Sequence, residues 1–190
     1  MFLTVGVIAL GYAAYVVAEA RVYQRNAAIR FEQERTSAAV IDAEASLIVT
    51  PAKVVPVPAD GESIGQMVIA RLGLDVMFVQ GESPTILERA VGHLRATALP
   101  GVIGNVGLAG HRDSFFRPLK DVRVGDKITL KTTRGDYNYV VDLISIVKPT
   151  DVEVLDATGG ETLTLITCFP FYYVGAAPSR FIVRGTRQAP

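Results

Sequence analysis

The sequence predicts a mainly β domain, a barrel or a sandwich, preceded by an apolar helix at the N-terminus. From about residue 63 onward, short runs of β-branched and aromatic residues alternate with Gly-containing turns. Only the stretch after Ser83-Pro84 shows helical spacing of apolar residues in that region. Several short strands joined by tight turns are typical of barrels and sandwiches.

Residues 1–18 are predicted to form a transmembrane anchor. Residues 2–18 carry no charge and would extend about 25 Å as a helix, close to the thickness of a bilayer core. A cleaved signal peptide is the alternative, because Ala18-Glu19-Ala20 has the small-x-small form of a cleavage site. The uncharged run is longer than the apolar region of most signal peptides, and it is apolar on all sides, unlike a core helix.

The charges beside this segment bear on its topology. Four arginines follow the apolar run, namely Arg21, Arg25, Arg30 and Arg35, and no basic residue precedes it. Lys and Arg accumulate on the cytoplasmic side of membrane spans, so this pattern alone predicts a cytoplasmic domain. A basic tail missing upstream of this start would reverse that prediction.

Residues 19–62 are predicted to connect the anchor to the domain. The part from Glu19 to Leu47 is rich in Ala, Glu and Arg and contains neither Gly nor Pro, which favours a juxtamembrane helix. Prolines at positions 51, 56 and 58 then break the helix and predict an extended linker. The compact domain is predicted to occupy residues 63–190.

The domain shows a succession of predicted elements. Gly73 separates two strand-like runs, and Pro84 begins a helix whose apolar spacing continues to Leu94. Strands or turns are predicted at residues 66–72, 74–80, 105–110, 127–133, 137–147, 151–157 (a helical turn), 162–167 and 181–183.

Composition excludes several functional classes. The chain has 19 Lys and Arg against 19 Asp and Glu, so no overall positive field attracts nucleic acid. One cysteine excludes an intrachain disulfide and a cysteine-rich zinc site. Two histidines without an H-E-x-x-H motif give no metal signature, and we expect no cofactor.

Three residues have the chemistry for acyl transfer. Cys168 ends the predicted strand 162–167, where a side chain can be held rigidly and still meet a substrate, although a lone cysteine is most often a buried hydrophobe. His111 follows another predicted strand end, and a thiol with an imidazole is the minimum set for nucleophilic acyl transfer. Arg180 opens the strand after the cysteine loop, where a guanidinium could stabilise a thiolate or an oxyanion.

Other titratable residues are predicted to be structural. His93 lies on the flank of the predicted helix, where a satisfied histidine is the simpler interpretation. Asp151, Glu153 and Asp156 could supply oxygen ligands to calcium, but a solvated turn is the more ordinary interpretation of this cluster.

Three motifs resemble those of the sortases, the membrane-anchored cysteine transpeptidases of bacteria. Thr164-Leu165-Ile166-Thr167-Cys168 matches the family's T-L-x-T-C motif, and Ala109-Gly110-His111-Arg112 resembles the segment with its catalytic histidine. Arg180 falls where the family has its essential arginine. The loop that begins Cys168-Phe169-Pro170-Phe171 is most similar to class D, with class E next. The resemblance covers roughly residues 63–187.

The resemblance implies an eight-stranded β-barrel with short helices, held by an N-terminal anchor and located outside the cytoplasmic membrane. It implies that Cys168 attacks the substrate carbonyl, that His111 exchanges protons with the amines, and that Arg180 holds the oxyanion. Thr167 would be a wall of the substrate site next to the cysteine, and His93 has no catalytic role. An outward domain conflicts with the arginines after the anchor. Either a basic tail is missing upstream or strong export of a large domain overrides the charge rule, and we favour the missing tail.

The implied partners are a protein with an L-P-x-T-G-like sorting signal and an amine acceptor, either a peptidoglycan precursor or a pilin lysine. The membrane is a third partner through the N-terminal helix. Two alternatives remain open: another Cys-His acyltransferase of the envelope, or an anchored barrel that has lost catalysis and serves as a binding scaffold.

Overall fold

The computed structural model describes residues 2–45, 57–172 and 175–188, with side chains in the first helix described for residues 4–38. Helix α1 spans Phe2–Ala45 and helix α2 spans Pro84–Leu87, and short 3₁₀ turns occupy Ala70–Leu72, Arg117–Asp121 and Val152–Leu155. The strands are β1 Ser63–Ile69, β2 Leu74–Gln80, β3 Val91–His93, β4 Gly104–Ala109, β5 Lys127–Thr132, β6 Gly135–Val147, β7 Glu161–Phe169 and β8 Ser179–Arg187.

These eight strands of the described chain close into a barrel in the order β1-β2-β3-β4-β7-β8-β6-β5. The pairs β2–β3 and β4–β7 are parallel, and the other neighbours are antiparallel. Because β4 and β7 are parallel, their C-terminal ends lie at the same end of the barrel, which we call the site end. The closed eight-stranded barrel confirms the predicted fold class.

The barrel interior is filled by the inward-facing residues of the strands. Along β5 the burial alternates, so that Ile128 and Leu130 are fully buried between more exposed neighbours. Strands β2 and β4 are buried almost throughout, which is typical of strands that are covered on both faces. Phe78, Leu108 and Tyr139 are among the largest fully buried side chains, and together such residues form one continuous core.

The predicted helix from Pro84 to Leu94 is wrong in its second half. Helix α2 ends at Leu87, and residues 91–93 form strand β3, whose Val91 is level with Phe78 of β2. Gly92 permits this pairing, because a Cβ atom there would lie 2.3 Å from the Gly81 carbonyl oxygen. Tertiary pairing therefore overrides the helical spacing of the apolar residues.

The predicted anchor and the predicted juxtamembrane helix are continuous in helix α1. Among the described residues, one helix is long and apolar enough to cross a membrane, and its most apolar window is not buried in the protein. Ile8 and Leu10 are 71% and 73% exposed, so this part of the helix needs an apolar environment that the barrel does not supply. The predicted proline-containing linker lies largely outside the described residues.

Candidate active site

The cysteine and the histidine follow the ends of two neighbouring parallel strands. Cys168 is the penultimate residue of β7, and β4 ends at Ala109, directly before Gly110 and His111. Ala109 is level with Ile166 in the β4–β7 register. His111 and Cys168 therefore each lie just beyond this last pair, two residues along their own chain segments, at the site end.

Two hydrogen bonds extend the pairing beyond the last rung of the ladder. The Gly110 N–H donates to the Ile166 carbonyl over 3.2 Å. The Thr167 hydroxyl donates to the Gly110 carbonyl over 2.7 Å, and Thr167 is only 2% exposed. The residue before His111 is therefore fixed to the residue before Cys168. The prediction that Thr167 lines the substrate site stays a prediction, but its hydroxyl has a positioning contact.

Gly110 lets the chain turn away from β4 over the core. A Cβ atom at this position would lie 2.9 Å from the ring of Phe116, a side chain that is fully buried. The Phe116 N–H donates to the His111 carbonyl over 3.0 Å, which closes the turn after the histidine. The turn therefore needs a glycine directly before His111.

Arg180 lies on the other side of the cysteine. In the antiparallel β7–β8 register, Cys168 and Arg180 are direct partners, so their Cα atoms are neighbours across the ladder. The thiol of Cys168 is free and half-buried. The Arg180 guanidinium donates to the carbonyls of Ala177 and Ser179, over 3.4 and 3.2 Å. These bonds hold the guanidinium against the backbone that leads into β8. The structure thus brings the three predicted residues to adjacent strand ends.

The loop after the cysteine is held by aromatic packing. Phe171 contacts Phe181 edge to face with ring centroids 5.1 Å apart, and Phe169 stacks on Phe181 at 6.1 Å. Aromatic pairs of this geometry add about 0.5–1.5 kcal/mol beyond the area they bury. The loop therefore leaves β7 and returns to β8 over a packed base beside Cys168 and Arg180.

Arg112 makes contacts beside the site that the sequence did not predict. It follows His111, and its guanidinium donates to the Pro170 and Gly175 carbonyls, each over 3.1 Å. One side chain therefore connects the histidine turn to both halves of the cysteine loop. Its place directly after the histidine in the A-G-H-R segment was the available signal, but a contact with a loop so distant in sequence cannot be read from spacing.

His93 is buried in β3, away from the reacting groups. It is 1% exposed, its Nε2 lies 2.9 Å from the Ala98 carbonyl oxygen, and its Nδ1 lies 2.9 Å from the Gln80 carboxamide. The Ala98 carbonyl can only accept, so Nε2 is the donor in that contact. Burial lowers the pKa of His93, and the Ala98 carbonyl opposes that effect. These contacts are those of a structural histidine on a strand rather than on a helix.

The carboxylates considered for calcium do not form a recognisable metal site. Within the described residues, no group of three His, Cys, Asp or Glu side chains is arranged to hold a metal ion. Asp151 accepts a hydrogen bond from the Lys148 N–H over 2.9 Å and so closes its own turn. The expectation that the protein needs no metal stays a prediction.

Comparison with known proteins agrees with this geometry. The sortase domain model matches residues 67–188. Sortase D of Bacillus subtilis is 34% identical over 131 residues, which cover 68% of this chain and 66% of that protein. Sortase A of Listeria monocytogenes is 31% identical over 55% of this chain and 49% of its own length. The chain thus spans between about half and two thirds of these two relatives.

Solved structures share the fold. A Clostridium perfringens Sortase D5 transpeptidase superposes with a TM-score of 0.72 at 23% identity, covering 88% of this chain and 99% of that one. Sortase C1 of Streptococcus agalactiae superposes with a TM-score of 0.62 at 32% identity, covering 68% and 69%. The similarity to Sortase D supports the class D resemblance of the cysteine loop. Because the domain model matches well over half of its residues, the chain belongs to the sortase family.

Proposed function

We propose that this chain is a membrane-anchored cysteine transpeptidase that cleaves an L-P-x-T-G-like sorting signal and transfers the acyl group to an amine. One observation carries the proposal. Arg180 is paired with Cys168 on one side of β7, and the strand end that bears His111 is hydrogen-bonded to β7 on the other side. A nucleophile, a proton carrier and a cation at adjacent strand ends are the groups that acyl transfer needs.

The first half of the reaction forms a thioester. The Cys168 thiolate attacks the carbonyl carbon of the Thr-Gly bond, and the electron pair of the carbonyl moves onto its oxygen. Arg180, the cross-strand partner of Cys168, stabilises this oxyanion with its positive charge. The C–N bond then breaks, and His111 gives a proton to the departing glycine amine.

The second half returns the enzyme to its starting state. An incoming amine attacks the thioester carbonyl, and His111 accepts a proton from it. The C–S bond breaks and the thiolate leaves, so no oxidant or reductant is consumed. A peptidoglycan precursor or a pilin lysine would provide this amine, and both fit the general use of amine acceptors by the family.

We further propose that α1 holds the protein in the membrane as a single span, with the barrel on the extracytoplasmic side. The exposed apolar residues of its first turns support the anchor. The outward topology follows from the proposed reaction, because sorting signals and amine acceptors of the envelope lie outside the cytoplasmic membrane. Protease added to intact cells should digest the barrel, whereas a cytoplasmic barrel would be protected until the cells are lysed.

A peptide-cleavage assay tests the reaction. The purified chain is mixed with a library of L-P-x-T-G-like peptides and an amine, and products are identified by mass spectrometry. Cys168→Ala should abolish both cleavage and transfer. Arg180→Ala should lower kcat by about 100- to 1,000-fold, the usual effect of losing one oxyanion donor.

Arg184→Ala provides a matched control for the arginine. Arg184 lies on the same strand, but it is exposed and paired with Asp142 over 2.9 Å. Its removal should leave kcat almost unchanged. Cleavage that persists in Cys168→Ala, or no cleavage of any library member, would contradict the proposal. Activity on muropeptides alone would favour another envelope acyltransferase, and a folded but unreactive thiol would favour a binding scaffold.

A further inference from the structure

The part of α1 that follows the apolar segment packs on the outside of the barrel. Ala27 and Phe31 of α1 are 3% and 1% exposed, and they form a small buried cluster with Met77 of β2. A phenylalanine so fully covered on an otherwise exposed helix shows that this contact excludes water. Helix and barrel therefore form a packed interface.

Gln24 adds a specific polar contact to this interface. Its carboxamide accepts a hydrogen bond from the Met77 N–H over 2.7 Å and donates one to the Arg89 carbonyl over 2.8 Å. The first β2–β3 pair is Phe78 with Val91, and Met77 is the residue of β2 just before that pair. The Gln24 carboxamide therefore bridges the two chain segments just before their backbone pairing begins. This contact fixes the position of the helix along the barrel.

The polarity of the barrel relative to α1 follows from strand directions. Strand β3 is antiparallel to β4, and β2 is parallel to β3, so both β2 and β3 start at the site end. Strand β6 is antiparallel to β8, which is antiparallel to β7, so β6 starts at the opposite end.

Two ion pairs then order the contacts along the helix. Glu19 pairs with Arg89 over 2.6 Å, just before β3 at the site end. Arg35 pairs with Asp136 over 2.7 Å, near the start of β6 at the opposite end. At about 1.5 Å per residue these two pairs lie roughly 24 Å apart along α1. The helix thus runs along the barrel from the site end to the opposite end.

The site end also lies beside the last turn of the apolar segment. A groove between α1 and the barrel is lined by Val16 and Val17 on one side and by Asp113, Phe115 and Pro118 on the other. The latter residues belong to the turn that follows His111. The loop next to the histidine is therefore level with residues that would lie at the edge of a bilayer.

We infer that α1 is a docking arm that holds the barrel on the bilayer with its site end facing the lipid headgroups. This inference rests on the proposed membrane anchoring, because only an inserted helix gives the arm a fixed direction. The partner is the lipid surface, and the consequence is that the thiol reacts close to the membrane. A substrate held in the same membrane would meet the site without the barrel having to turn over.

Fluorescence quenching from the bilayer tests the orientation. The single cysteine makes Cys168→Ala a cysteine-free background, in which Ser114→Cys and Thr133→Cys place one fluorophore at the site end and one at the opposite end. The full chain is reconstituted in phosphatidylcholine and phosphatidylglycerol vesicles that contain a headgroup-nitroxide lipid. We expect quenching at position 114 to be several-fold greater than at position 133. Equal quenching, or stronger quenching at position 133, would overturn the inference.

A variant that loosens the arm provides the control. Gln24→Ala combined with Phe31→Ala removes the bridging carboxamide and the buried ring but leaves the apolar segment intact. The difference in quenching between the two positions should disappear, while the protein still floats with the vesicles. A difference that persists unchanged in this variant would show that the docked helix does not set the orientation.

An activity comparison with Cys168 restored separates this inference from the proposed function. The Gln24→Ala/Phe31→Ala variant should cleave a soluble signal peptide at the wild-type rate but cleave a vesicle-anchored peptide several-fold more slowly. Equal rates on the anchored peptide would overturn the arm and leave the transpeptidase proposal standing. If the wild type cleaves neither peptide, the proposed function is contradicted. The quenching experiment would still test the orientation of the barrel on the bilayer.

Discussion

Thr167→Val tests whether the hydroxyl next to the cysteine positions the histidine. Valine keeps the shape of threonine but cannot donate to the Gly110 carbonyl, which accepts over 2.7 Å in a buried position. In this variant the buried Gly110 carbonyl lacks the hydrogen bond from residue 167. Because His111 follows Gly110 directly, its turn should move away from Cys168.

The size of both effects can be worked out from this contact. A buried polar group that loses its partner costs about 1–3 kcal/mol, so the free energy of unfolding should fall by that amount. A displacement of about 1 Å at a reacting group can lower the rate about 100-fold. We therefore expect kcat/KM for peptide cleavage to fall roughly 10- to 100-fold, or about 1.4–2.7 kcal/mol of transition-state free energy.

Thr132→Val is a matched control at the opposite end of the barrel. Thr132 is also 2% exposed, and its hydroxyl also donates to a glycine carbonyl, that of Gly135, over 3.0 Å. Urea unfolding should show a loss of stability in both variants, since Thr132→Val also removes the acceptor of the Arg134 N–H, and peptide cleavage should fall only in Thr167→Val. Unchanged kcat/KM in Thr167→Val, or an equal fall in both variants, would refute the positioning role.

Three further predictions concern Arg112, Gly110 and His93. Arg112→Lys should lower kcat/KM about tenfold and speed deuterium uptake in the cysteine loop, because an ammonium cannot span both carbonyls. Arg117→Ala, which removes only a cation–π contact with Tyr172 of the same loop at 5.5 Å, should have a smaller effect on each. Gly110→Ala should lower the free energy of unfolding by about 1–3 kcal/mol in urea titrations, because its methyl group would overlap Phe116. Burial lowers the pKa of His93 below 6.5, so the unfolded chain binds a proton that the folded chain refuses as the pH falls. Stability should therefore decrease between about pH 7 and pH 5.5, and less steeply in His93→Asn, and equal slopes would contradict this assignment.

Much of the barrel could be predicted because its strands have local signals. The hairpin of β5 and β6 follows from alternation and from the turn at Arg134-Gly135, and Gly73 takes a left-handed conformation with φ of 61° between β1 and β2. The failure at β3 has a physical cause. Three residues are too short for a periodic signal, and their pairing partner, β2, lies beyond an intervening helical turn.

The candidate site was predictable in its residues but not in its connections. Cys168, His111 and Arg180 were visible as reactive side chains at strand ends, and the T-L-x-T-C motif added specificity. The contacts of Arg112 with the cysteine loop and of Thr167 with Gly110 depend on the parallel pairing of β4 and β7. The spacing of residues along the chain carries no information on such a pairing.

The packing of α1 on the barrel also could not be predicted from the sequence. The segment from Glu19 to Leu47 has good helix propensity and only loose apolar periodicity, which predicts a helix but no partner for it. Phe31 and Gln24 have a role only because β2 presents Met77 to them at the level where its pairing with β3 begins. The position of a helix against a barrel is a tertiary property that short-range patterns do not contain.

Intact-protein mass spectrometry shows whether Cys168 carries the acyl group during the reaction. The full chain is mixed with a cleavable L-P-x-T-G-like peptide in the absence of an added amine, and the mass is recorded before and after adding one. We expect the acyl fragment to add to the protein at Cys168, the adduct to be lost when the amine is added, and Cys168→Ala never to acquire it. An adduct on any other residue, or peptide cleavage that does not depend on Cys168, would show that the reaction does not proceed through a Cys168 thioester.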